Sequence, residues 1–186
     1  MNILLVFCHP RNESLSGEVA RAFQHGATEA GHNVEFVDLY HENFDPVLRT
    51  EDMYKDGNLS DYSQEVQSEF KRLNRNDAVV MVFPLWWWSM PAMLKGWIDR
   101  VWNYGLTHGP AKHNIKKSLI ITLAAVTKSQ LAKRDYSTAI QICLETGILD
   151  YNNIPDTKLV IMDDTSGGIE KCEEHISESF RMGSQF

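Results

Sequence analysis

Apolar residues in this chain come as short unbroken runs separated by stretches with helical spacing. Ile3-Leu4-Leu5-Val6-Phe7 is continuously apolar and partly β-branched, the pattern of a parallel strand covered on both faces. After a polar turn, Leu15, Val19, Ala22, Phe23 and Ala30 recur at helical spacing until Gly31, which predicts a helix of about four turns closed by a glycine cap. Val34 to Asp38 predicts a second strand, and Ala78 to Phe83, longer and wholly apolar, a central third. Between them Glu42 to Ser63 is polar with scattered aromatics and an Asp56-Gly57 turn signal; a loop of that length in a compact domain usually serves function. Val66, Phe70 and Leu73 mark a short helix. Pro91 fits the first turn of another, whose apolar face is Met93, Leu94, Trp97, Ile98 and Val101. Leu119 to Leu123 predicts a fourth strand, Ala139 to Leu144 a helix ended by Gly147, Lys158 to Met162 a fifth strand, and Ile169 to Phe180 a closing helix.

Strands alternating with helices imply a parallel sheet with helices on both faces, because right-handed crossovers place them there. We expect one domain over residues 1–186, a three-layer α/β sandwich whose five-stranded sheet takes the order 2-1-3-4-5. Ligands of such sheets bind at the carboxyl ends of strands one and three, where the connections reverse direction.

Composition narrows the classes. With 43% hydrophobic and 23% charged residues the chain has the make-up of a soluble globular protein rather than a disordered or fibrous one. A formal charge of −7 without a Lys/Arg-rich run argues against a nucleic-acid partner. Cys8, Cys143 and Cys172 match no disulfide framework or metal-ligand spacing, so we expect reduced thiols, no metal and a cytoplasmic location. Met1 to Val6 lacks a signal-peptide pattern, and the longest apolar run, Ala78 to Trp88, is shorter than the ~20 residues a membrane helix needs.

Chemistry gathers at the strand ends. Strand one runs into His9-Pro10-Arg11-Asn12-Glu13-Ser14-Leu15-Ser16, a hydroxyl-rich turn delivering a helix N-terminus. Free backbone N–H groups there favour an anion, and His9, Ser14 and Ser16 could add donors; Ser14 also reads as a plain helix cap. No GxGxxG follows strand one and no P-loop occurs, while Gly167-Gly168 reads as a turn. Pro84-Leu85-Trp86-Trp87-Trp88 follows strand three. Three consecutive indoles cannot all face inward from one turn, so this surface meets either a planar aromatic cofactor or a partner subunit. The small side chains in Thr122-Leu123-Ala124-Ala125 let backbone approach a ligand edge, or serve packing alone.

These residues resemble the NAD(P)H:quinone oxidoreductase family, flavodoxin-like flavoproteins that include DT-diaphorase, bacterial quinone reductases and ancillary proteins of potassium-efflux systems. The resemblance is carried by His9…Ser14-Leu15-Ser16, by Asn43-Phe44-Asp45-Pro46, and above all by the run from Phe83 to Val101. It implies a bound FMN or FAD, with His9, Ser14, Leu15 and Ser16 at its phosphate and ribityl, Pro84, Leu85, Trp86, Trp87 and Trp88 lining the isoalloxazine, and Thr122, Leu123, Ala124 and Ala125 at its pyrimidine edge. It further implies NADH or NADPH as co-substrate and two-electron, ping-pong reduction of a quinone or a similar azo, nitro or free-flavin acceptor. Trp88, Tyr104 and His108 would wall the acceptor pocket, and the chain would form a homodimer. The family's Thr-Thr-Gly-Gly turn reads Thr122-Leu123-Ala124-Ala125 here, and Val126 to Asp135 lacks the Tyr and His that relay charge in DT-diaphorase-like members; no catalytic side chain is assigned. An alternative is a flavin-binding regulatory subunit of a transport system with incidental redox activity.

Overall fold

The computed structural model describes residues 1–53, 57–110 and 113–186, so Asp56 of the expected turn lies outside the described residues. Strands β1 (Asn2–Phe7), β2 (Asn33–Asp38), β3 (Ala78–Pro84), β4 (Lys117–Leu123) and β5 (Asp156–Met162) pair in parallel in the order β2-β1-β3-β4-β5. That is the order the sequence pattern predicts, with β3 central.

The pleat explains why the strands read as unbroken apolar runs. Ile3, Leu5 and Phe7 of β1 pack on the layer made by α1 (Leu15–Glu29) and α6 (Ile169–Ser184), where Val19, Phe23 and Met182 join them. Leu4, Val6 and Cys8 pack on the opposite layer. It holds Leu73 of α2 (Gln64–Asn74), Leu94 and Trp97 of α3 (Ala92–Val101), Leu131 of α4 (Lys128–Ala132) and Ile140 of α5 (Tyr136–Gln141). In register, Phe7 stands beside Val82 and Pro84 beside Leu123, so the carboxyl ends of β1, β3 and β4 share one rim.

Helix α1 begins on Ser14, whose side chain accepts from the Gly17 amide, and ends before Gly31 at φ 86°. Pro91 precedes the first turn of α3 rather than occupying it. The helix expected to stop at Gly147 does not stop there. From α5 it winds on as a π-helix over Ile142–Leu149 and a 3₁₀ turn over Asp150–Asn152, and Asn153 at φ 58° ends it. Ile140, Leu144 and Leu149 are all buried. The spacing of five between the last two would leave an α-helix with one of them off the core, and π winding brings both onto it.

Asp45, Pro46, Asp52 and Ser63 of the long segment after β2 are anchored on α3. The Arg100 guanidinium of α3 meets the fully buried Asp52 carboxylate at 2.7 Å and also reaches the Asp45 carbonyl and Glu65. Ser63 donates its amide to Asp52 at 2.9 Å, and Asn103 donates to the Asp52 carbonyl at 2.8 Å. Burial pushes the Asp52 carboxyl upward, but the hydrogen bonds from Ser63 and Arg100 outweigh it and the net shift is downward. Gly96 permits this docking, since a Cβ there would lie 2.2 Å from the Pro46 carbonyl oxygen.

Candidate active site

At the end of β1 the chain turns tightly into α1. His9 Nδ1 lies 3.0 Å from the Arg11 amide, which leaves Nε2 for another partner. Ser14 is the N-cap, and Leu15 and Ser16 are the first helical residues; their amides have no hydrogen-bond partner among the described residues. Two free N–H groups at the positive end of a 15-residue helix suit an anion. The cap and the anion readings of Ser14 are compatible, because capping engages its oxygen at Gly17 and leaves these two amides open. Asn12 closes the turn, accepting from Arg21, and its carbonyl lies so near α1 that a Cβ on Gly17 would come within 2.1 Å of it.

The rim of β3 is more unusual. Trp86 and Ser89 exchange both backbone hydrogen bonds, at 2.9 and 3.0 Å, closing a two-residue reverse turn around Trp87 and Trp88. Both sit in the left-handed region, at φ 50° and 62°. That turn ordinarily takes Asn-Gly or Gly-Gly, because a Cβ in this region meets the following carbonyl. The three indoles then part company. Trp86 leans on the His9 ring at 5.9 Å, Trp88 stacks on Tyr136 at 3.7 Å and 9°, and Trp87 is 94% exposed. Neither the Trp87 nor the Trp88 amide has a partner among the described residues.

Facing this turn is the end of β4, tied to it by the Leu85 amide donating to the Leu123 carbonyl at 2.7 Å. Leu85, Trp87, Trp88, Ala124, Ala125 and Val126 line a cavity of about 210 Å³. Thr122 and Leu123 are buried within the sheet and turn no side chain to it. The structure divides the alanine pair: Ala124 donates its amide to the Met162 carbonyl at 2.8 Å and accepts from Thr165, so it is not an available donor. The Ala125 amide has no partner among the described residues, and the residue is exposed. Neither alanine has positive φ. This turn does not use the conformation that would demand glycine.

Of the three residues expected to wall the acceptor pocket, Trp88 lines the cavity, whereas Tyr104 and His108, ring centroids 5.7 Å apart and edge to face, extend a separate cluster through Tyr151, 5.5 Å from His108. Burial lowers the His108 pKa, which favours the neutral ring. Below the rim, burial pushes the Cys8 thiol up to about 12, leaving it a core residue and not a nucleophile.

Two contributors escape the sequence reading. Gly17 could have been found, because a glycine in the first turn of a helix gives up helix propensity and so marks a close approach. Tyr136 could not, since nothing local connects it to Trp88, 48 positions away. Both ends of the rim fit one ligand type: an anionic tail at β1 and α1, and a planar body with a polar edge at β3 and β4.

A family model described as the flavodoxin-like fold matches residues 1–182. The chain is 41% identical over 150 residues to the uncharacterized NAD(P)H oxidoreductase YcaK of Escherichia coli K12, spanning 80% of this chain and 73% of that one. It is 36% identical to a ribosyldihydronicotinamide dehydrogenase-like protein of Penicillium crustosum over 63% of this chain, though only about half (49%) of that longer relative is covered. Among solved structures, the NAD(P)H:quinone oxidoreductase of Methanothermobacter marburgensis superposes with a TM-score of 0.92 at 30% identity, covering 100% of this chain and 96% of the other. Among the described residues no helix is long and apolar enough to cross a membrane. The chain belongs to the flavodoxin-like fold family and, within it, to the NAD(P)H oxidoreductases.

Proposed function

We propose that the chain holds a flavin, FMN or FAD, along the β1–β3–β4 rim and uses NADH or NADPH to reduce a quinone or a similar planar acceptor. The observation that carries this reading is the strained Trp87–Trp88 turn, which offers two free amides and an exposed indole across a cavity from the free Ala125 amide. Strain of this kind persists where the surroundings enforce it, and it clusters at ligand sites. The relatives in E. coli and M. marburgensis support the choice of reductant, and the latter the choice of acceptor.

A bound flavin would supply two-electron redox chemistry between the nicotinamide and the acceptor. The chain's part is to bind and orient. The Leu15 and Ser16 amides, with His9 Nε2, would hold the phosphate; the Trp87, Trp88 and Ala125 amides would hold the polar rim of the ring and favour negative charge there. One cavity serving reductant and acceptor in turn gives ping-pong kinetics. The family resemblance supports a homodimer, which light scattering of the purified protein would test. The free thiols of Cys8, Cys143 and Cys172 support a reducing compartment such as the cytoplasm, which fractionation would test.

The deciding experiment is to purify the protein, identify any released chromophore by mass, and follow its visible spectrum as NADH or NADPH and then a quinone are added. Bleaching by the nicotinamide and recovery with the quinone are expected. Absence of affinity for either flavin overturns the reading, and flavin binding without turnover favours a regulatory subunit.

A further inference from the structure

We propose that Tyr136 is a positioning residue, which holds the Trp88 indole in place and thereby fixes the aromatic wall that a planar acceptor or nicotinamide packs against. This rests on the function proposed above. Trp88 occupies the left-handed region at φ 62°, a conformation its own backbone disfavours. The two Trp86–Ser89 bonds close the turn but do not orient the indole. Tyr136 does: the rings lie 3.7 Å apart and within 9° of parallel. Trp88 lines the cavity and Tyr136 does not, so the phenol bears on the cavity only through the indole.

Tyr136 is itself held at both ends. It is the first residue of α5, placed there by Asp135 in the left-handed region at φ 57°. At its far end the Arg134 guanidinium donates to the phenol oxygen at 3.4 Å. Past this point the helix runs on through the π-helix to buried Leu144 and Leu149, which ties the wall to the core under β4 and β5. Directly after the Val126 to Asp135 segment that lacks the family's Tyr and His, Tyr136 thus acts through Trp88 instead of on a reacting atom.

The test uses the flavin-loaded protein labelled with fluorotryptophan, and the variants Tyr136→Phe and Tyr136→Leu. Five tryptophans give five fluorine resonances, and Trp88→Phe identifies the one from Trp88. Tyr136→Leu is expected to move the Trp88 resonance and leave the other tryptophans outside its contacts in place. It should also raise KM for the quinone about 2- to 10-fold, the range an aromatic pair is worth, at unchanged kcat. Tyr136→Phe keeps the stack and is expected to restore both. A stationary Trp88 resonance, displacement of all five, or a moved resonance with unchanged KM each overturns the proposal. Wild-type protein without NAD(P)H–quinone turnover overturns the proposed function instead, and the Trp88 resonance then decides the positioning role by itself.

Discussion

Replacing Trp87 with asparagine is expected to make the chain more stable and less able to bind its ligand. The side chain is 94% exposed, so its removal forfeits almost no packing. Its backbone sits at φ 50°, where an L-residue other than glycine, asparagine or aspartate costs about 1–2 kcal/mol. Asparagine relieves most of that, a gain of about 1 kcal/mol, which for a chain of this size raises Tm by about 2–4 °C. The same change removes the exposed face of the cavity wall. Losing one stacked ring weakens flavin or acceptor binding by about 0.5–1.5 kcal/mol, or roughly 2- to 10-fold. Thermal melts without ligand measure the first effect; flavin titration and steady-state turnover measure the second. A lower Tm would show that Trp87 packs against something in the folded protein, such as a partner subunit. An unchanged melt with unchanged turnover would refute the link between strain and binding.

Three further substitutions or treatments test other parts of the structure. Gly17→Ala would gain about 1 kcal/mol from helix propensity, yet its Cβ would meet the Asn12 carbonyl at 2.1 Å; we expect a lower Tm and weaker flavin affinity, and a stabilised, fully competent variant would refute the close approach. Arg100→Leu leaves the fully buried Asp52 without its cation, a loss of about 3–5 kcal/mol by chemical denaturation. Because the folded Asp52 pKa is depressed, its contribution is complete above the ordinary aspartate value and disappears as pH falls through the folded value; the wild-type protein should lose stability across that acid window more steeply than Arg100→Leu, and equal slopes would refute the pairing. Alkylation at mildly alkaline pH should modify exposed Cys143 well before Cys8, whose thiol is held up at about 12; comparable labelling of both by peptide mass mapping would show that Cys8 is reachable.

How much of this was legible in the sequence follows from which interactions are local. Continuous apolar runs such as Ala78 to Phe83 identify strands buried on both faces, so sheet content and order came through. Gly31 marked the end of α1 because a left-handed cap is a local demand. Gly147 misled for the same reason: a glycine reads as a stop, whereas the core demand of Leu144 and Leu149, set by the sheet beneath, wound the helix through it. Helix α4 gave no usable signal, since five residues with one buried side chain, Leu131, are too few to show a period.

The site divides along a similar line. The tryptophans announced themselves by type, but the groups that make the rim selective are backbone amides, and every residue except proline carries one. Whether an amide is free depends on what its neighbours do: Ala124 and Ala125 are identical in sequence, yet Met162 engages one and leaves the other open. The alanines in place of the family's glycines therefore disturb the site less than residue type suggests, because the backbone there never enters positive φ. The two positions of the β3 turn that do enter it carry tryptophan, where asparagine, aspartate and glycine are the usual residues. Strain is concentrated on the β3 side and absent from the β4 side. Substitution at Trp87 should therefore trade stability against binding, whereas glycines at positions 124 and 125 should lower stability, by enlarging the unfolded ensemble, and leave turnover as it is. Thermal melts and turnover of the Ala124→Gly/Ala125→Gly protein check this asymmetry, and a gain in activity with glycine would show that the β4 turn needs a conformation the alanines deny it.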